Sequence, residues 1–149
     1  MSELPEAVSL SIRDNYEVIA HDGDRSGTIE QRIQRAVENH IYVYEQNYNV
    51  ILSTLVQRWR LNIVKKNHAR NQRGLRKDLG NWLAELKKMT TEQREAINTI
   101  SSFDMWHRLR DHQGLGITNS IHIITNMLHG LLKAPLDKQR KAPAKANSA

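Results

Sequence analysis

Residues 90–132 read TTEQREAINTISSFDMWHRLRDHQGLGITNSIHIITNMLHGLL, and the pattern in them decides the fold class. Thr90, with Gln93 three residues on, forms a capping-box pattern that starts a helix. Ala96, Ile97, Ile100, Phe103, Trp106 and Leu109 then recur at helical spacing. Gly114 and Gly116 end that helix, as glycine does just beyond a C-terminus. Thr118 is placed to cap a last helix with the stripe Ile121, Ile124, Thr125, Leu128, Leu131 and Leu132. The stretch predicts two amphipathic helices joined by a glycine hinge, with more apolar surface than one small bundle needs. Such a hairpin implies a surface for a partner.

Upstream, the same two signals recur. Thr28 and Gln31 form a second capping-box pattern, followed by Ile29, Ile33, Val37, His40, Ile41 and Tyr44 at helical spacing. Asn47-Tyr48-Asn49 marks a bend. Val50, Ile51, Leu52, Leu55, Val56, Trp59 and Ile63 predict another helix, apolar on a wide arc and therefore central. Residues 65–77, KKNHARNQRGLRK, are basic and lack the alternation of a strand. Leu75, Leu79, Trp82, Leu83, Leu86 and Met89 give one more helical stripe. Residues 4–20 predict a short helix, and His21–Gly27 a polar loop. The fold class is all-α: a bundle of five to six helices whose last two form an antiparallel hairpin that dimerises. The expected organisation is an N-terminal segment over 1–27, a helical domain over 28–133, and a disordered basic tail over 134–149.

Composition sets bounds. A chain of 149 residues is one domain with room for a core. No apolar run approaches the length of about 18 residues needed to span a membrane, and no secretory leader is evident. No membrane partner is expected. The absence of cysteine removes disulfides, thiolate zinc sites and cysteine nucleophiles, and fits a cytoplasmic protein. The net charge of +6 is uneven: residues 58–89 carry +8 and 133–149 carry +4, against −5 over 1–57.

Motifs that carry catalytic or metal chemistry are largely absent from the sequence. There is no phosphate-binding glycine loop and no HExxH. His122 and His129 lie seven apart, two turns rather than the one turn of a helical metal pair, and His107 and His112 fall on different faces of a regular helix. No metal, no cofactor and no catalytic residue is expected. Asp104 with Arg108, and His107 with Asp111, read as ordinary i, i+4 pairs on a polar face. The chain reads as a binding protein, not an enzyme.

At the hairpin, Ser102-Phe103-Asp104-Met105-Trp106-His107-Arg108-Leu109-Arg110 and Gln113-Gly114-Leu115, with an apolar last helix ending in Leu131-Leu132, resemble the end of the regulatory domain of TetR/AcrR-type transcriptional regulators. AVENHIYVYEQNYNVI (36–51) and LRKDLGNWLAEL (75–86) are similar to earlier helices of that domain, and 4–20 to its linking helix. The resemblance implies a ligand-sensing, homodimerising domain. It implies Tyr44, Trp59, Trp82 and Phe103 as walls of a cavity for a small apolar or aromatic ligand. It implies Phe103, Trp106, Leu109, Ile121, Ile124, Thr125 and Leu128 in a four-helix dimer interface. The chain departs from the family in one respect: no helix-turn-helix unit precedes Thr28. DNA binding would require one to be supplied, and a heterodimer with a full-length relative is a further expected partnership. The alternative is direct nucleic-acid binding through Arg58, Arg60, Lys65, Lys66, Arg70, Arg73, Arg76, Lys77 and the tail.

Overall fold

The computed structural model describes residues 24–141, with side chains described through Lys133. The expected helix over 4–20 lies outside that range, as do residues 142–149. Six α-helices and no strand occur among the described residues.

The first helix, α1 (Ile29–Gln46), begins where the capping box places it. Thr28 Oγ1 accepts from the Gln31 amide at 3.2 Å, and Gln31 Oε1 accepts from the Thr28 amide at 3.1 Å. Two otherwise orphaned N–H groups are satisfied reciprocally. Asn47 leaves helical geometry, with φ −117°, and forms the expected bend. Its amide donates to the Val43 carbonyl at 3.1 Å.

The second helix, α2, spans only Tyr48–Gln57. The expectation of one central helix through Ile63 is corrected here. A turn over residues 58–61 ends α2, and Val56, Trp59, Leu61 and Ile63 are exposed, Trp59 to 80%. An apolar arc that runs nearly round a helix does not say which side is covered, which is why the sequence pattern misled. α3 (Asn62–Trp82) then absorbs the whole basic stretch into one continuous helix. It stops at Leu83, and a single 3₁₀ stretch (Ala84–Lys88) replaces the last turn expected up to Met89.

The hairpin also differs from expectation. α4 (Thr91–Ile100) starts at its capping box, with Gln93 N to Thr90 Oγ1 at 3.2 Å. It breaks at Ser101-Ser102 instead of running to residue 113. Ser102 Oγ donates to the Thr99 carbonyl at 2.6 Å and accepts from the Met105 amide at 3.2 Å. Serine thus competes with the helical ladder and caps a new helix. That helix, α5 (Phe103–His107), widens into one π turn over Arg108–His112, marked by Gln113 N to Arg108 O at 2.9 Å. Gly114, at φ 64°, takes the left-handed conformation that lets the chain leave.

The last helix, α6, spans Ile117–Lys141. Thr118 therefore lies in its first turn and is not its cap. The helix also continues past 134, where a disordered tail was expected. Leu136, Lys138, Gln139 and Arg140 are good helix formers, and they extend it beyond Pro135. α6 lies against α1, α4 and the π turn, and α3 packs on α1 and α2. Ile33, Trp82, Leu83, Ile97, Trp106, Leu128 and Leu132 are buried between them. Trp106 Nε1–H donates to Glu45 Oε1 at 2.7 Å, so the one polar atom of the fully buried indole is satisfied. No described helix is long and apolar enough to cross a membrane.

Candidate functional site

A charged group sits in the centre of the bundle. Asp78, on α3, is fully buried, and its Oδ2 lies 3.0 Å from Nε2 of the buried His40 on α1. Arg25 Nη2 reaches the other oxygen, Oδ1, at 2.9 Å, and its guanidinium lies 5.1 Å from the centre of the Trp82 ring. Burial alone would raise the Asp78 carboxyl. The hydrogen bond and charge of His40, with Arg25, outweigh it and hold the group below its ordinary value.

Beside this trio lies a void of about 10 Å³, bounded by Ala36, Val37, His40, Ile41, Tyr44, Leu79, Ser101 and Ile124. That is room for about one water. Tyr44 O–H donates to the Ser101 carbonyl at 2.8 Å, and burial pushes its phenol above the ordinary range. The Ser101 hydroxyl is buried at the same wall and makes no hydrogen bond. Tyr44 and Tyr48 both meet the edge or face of Phe103, at 5.6 and 5.3 Å between centres.

Of the four residues expected to wall a ligand cavity, Tyr44, Trp82 and Phe103 are buried, and Tyr44 and Phe103 touch. Trp59 is separated from them, on the exposed turn after α2, where Arg58 lies 5.0 Å from its ring centre. This corrects its placement in a cavity wall. Of the seven expected interface residues, Phe103, Trp106, Leu109, Ile124 and Leu128 are already buried within one chain. Their side chains fill the core, which corrects their assignment to a surface. Ile121 and Thr125 are half-buried.

The eight basic residues of the nucleic-acid reading fall into two groups. Arg58 and Arg60 belong to the turn after α2. Lys65, Lys66, Arg70, Arg73, Arg76 and Lys77 are exposed on α3. At about 100° per residue they share an arc of about 140°. Arg76 pairs with Glu95, and Arg70 donates to Asn67.

The π turn produces a cluster that regular helical spacing does not. His107 and His112 were expected on different faces, and that is corrected. Their ring centres lie 5.1 Å apart at 67°. Asp111 Oδ2 stands 3.9 Å from Nε2 of each. His107 is fixed on its other side, with Nδ1 hydrogen-bonded to the Tyr48 hydroxyl and the ring stacked on Phe103 at 5.9 Å.

Two groups went unread in the sequence. Asp78 lies three residues after Leu75 and four before Trp82, on the buried stripe of α3, and that position was its available signal. The i, i+4, i+5 spacing of His107, Asp111 and His112 carries no signal unless the π turn is known. Compared with protein families, curated proteins and solved structures, the chain matches none.

Proposed function

We propose that the chain is the ligand-sensing, homodimerising regulatory domain of a TetR-type transcriptional regulator. The observation that carries this reading is the second apolar strip of α6. One face of that helix, Ser120, Ile124, Leu128 and Leu132, is buried against its own bundle. A neighbouring strip holds Ile123 and Leu131, half-buried, and Met127, 40% exposed. Gly130 adds a bare spot where a Cβ would meet nothing within 4 Å. A helix with apolar residues on both flanks is suited to a bundle shared by two copies.

The mechanism is a population shift. A small apolar ligand with one hydrogen-bonding group would enlarge the void beside Tyr44 and engage the Ser101 hydroxyl, which is otherwise unpartnered. Ile124 lines that void, and its neighbour Ile123 lies on the second strip, half-buried against the same core. Movement of α6 therefore couples the two places, and a ligand that prefers one position of α6 biases the dimer. The output would come through a helix-turn-helix unit coupled to this domain.

Sedimentation velocity tests this reading. The expected result is a dimer for the wild type and a monomer of unchanged helical content for Ile123→Glu/Met127→Glu. A wild-type chain that stays monomeric at about 100 μM, where interfaces with micromolar dissociation constants would be occupied, counts against the reading.

A second reading is supported by the basic face of α3. Six cations within about 18 Å of helix suit a polyanion such as nucleic acid. Binding would weaken steeply with salt, with a log–log slope near −0.9 for each phosphate contacted. Gel shifts in a salt series, with Lys66→Gln/Arg73→Gln as the weakened variant, test it. A slope near zero removes it.

A further inference from the structure

We propose that His107, Asp111 and His112 bind one divalent transition-metal ion per chain. Such a site is independent of the regulatory reading and starts from backbone geometry. On a regular α-helix, residues five apart stand about 140° from one another and cannot share a ligand. The single π turn over Arg108–His112 removes that separation. Wide turns of this kind occur mostly as isolated bulges, frequently at functional sites.

The donor atoms are close to a coordination shell. One imidazole nitrogen from each histidine and one carboxylate oxygen of Asp111 all lie within 4.8 Å of one another. A tetrahedral ion with bonds of about 2.0–2.1 Å sets its ligand atoms about 3.3 Å apart. Both Nε2 atoms stand 3.9 Å from Asp111 Oδ2, so small side-chain rotations close the gap.

One ligand is held in advance. In the tautomer in which His107 Nδ1–H donates to the Tyr48 oxygen, Nε2 keeps its lone pair, on the side of Asp111. Phe103 stacks on the same ring and limits its rotation. A partner on the non-ligating nitrogen is the usual way in which a metal-binding histidine is oriented. Arg110, the cation next in sequence to Asp111, is turned away, donating to the Leu115 carbonyl at 2.7 Å and to Glu45 at 3.3 Å.

The donor set identifies the class of ion. Two imidazoles and one carboxylate favour zinc, copper, nickel or cobalt over magnesium or calcium, which take oxygen ligands. Three protein ligands leave at least one position for water or an added ligand. The cluster borders an open groove of about 590 Å³, lined also by Arg76, Ser102 and Arg108, so such a ligand has access. Of the two arginines on that groove, Arg76 pairs with Glu95 and Arg108 adjoins His107 in sequence, so replacement of Arg108 is expected to tighten binding.

The test uses the full chain without an affinity tag. Zn(II) is titrated calorimetrically, and Co(II) by its visible absorption. One ion per chain is expected, with magnesium giving no response. His112 is exposed, so His112→Ala keeps the fold, and circular dichroism verifies this. His112→Ala and Asp111→Asn should each weaken Zn(II) binding at least about tenfold, and Tyr48→Phe by roughly tenfold through loss of the orienting bond. Arg108→Gln should strengthen it severalfold. His122→Ala, on α6, should leave it unchanged. Absence of saturable Zn(II) or Co(II) binding, or His112→Ala binding within about twofold of the wild type, overturns the proposal.

Discussion

The Asp78 carboxylate lies 3.0 Å from His40 Nε2, although the residues are 38 positions apart and sit on different helices. A fully buried charge survives there because His40 and Arg25 take both its oxygens. Removing Asp78 strips the buried His40 of its hydrogen-bond partner in the interior. Asp78→Ala is expected to cost about 3–5 kcal/mol, read from urea unfolding. The acid side follows from the same contact. The folded carboxyl sits below its ordinary value, so its stabilisation is complete above that value and is lost as pH falls through the folded one. Wild-type stability should therefore drop below about pH 4.

His68 should act at milder pH. Burial, and then the charge of Arg58, hold its imidazole below the ordinary value. The folded chain thus binds fewer protons there than the unfolded chain, and stability falls as pH drops below about 6.5. In a proton NMR titration, His68 should titrate below a free histidine. Arg58→Gln should move it upward. A midpoint at or above the ordinary value would contradict this.

Gly114 should resist substitution for a backbone reason alone. Its φ is 64°, and a Cβ there meets no atom within 4 Å. Gly114→Ala therefore isolates the strain of left-handed backbone, about 1–2 kcal/mol. A thermal melt measures it. A neutral result would mean that the exit from the π turn is not held in this conformation.

Trp59 should dominate any fluorescence signal from solvent. The chain has three tryptophans, and Trp82 and Trp106 are buried. Acrylamide should quench the wild type readily and Trp59→Phe hardly at all. Strong quenching of Trp59→Phe would show that one of the buried indoles is accessible.

The helix starts at Thr28 and Thr90 were legible because a capping box is made from residues three apart. Nothing in it depends on the rest of the fold. The breaks at Arg58 and Ser101 were not legible. The apolar spacing continues across them, from Val56 to Trp59 and from Ile100 to Phe103, so periodicity alone runs straight through. At the second break the decision is local but hidden from periodicity: the Ser102 hydroxyl bonds to Thr99 and Met105 and caps a new helix. The interface was misread for a related reason. Trp106 and Leu128 are apolar on the expected faces, but spacing does not distinguish a face covered by the chain itself from one left for another copy. Asp78 was hidden by its setting, since a carboxylate after Arg76-Lys77 reads as part of a solvated charge run.

The π turn also has a consequence for inheritance. A bulge of this kind amounts to one surplus residue in an otherwise regular coil. Removal of the Arg110 codon would restore regular winding and leave the two histidines four apart, about 40° from one another and still on one face. The apolar anchors Trp106 and Leu109 would keep their side of the bundle. The ring pair is therefore a trait that outlasts the loss of that surplus residue: the wide turn holds it at five residues apart, and a regular turn would hold it at four, without rebuilding the rest of the domain.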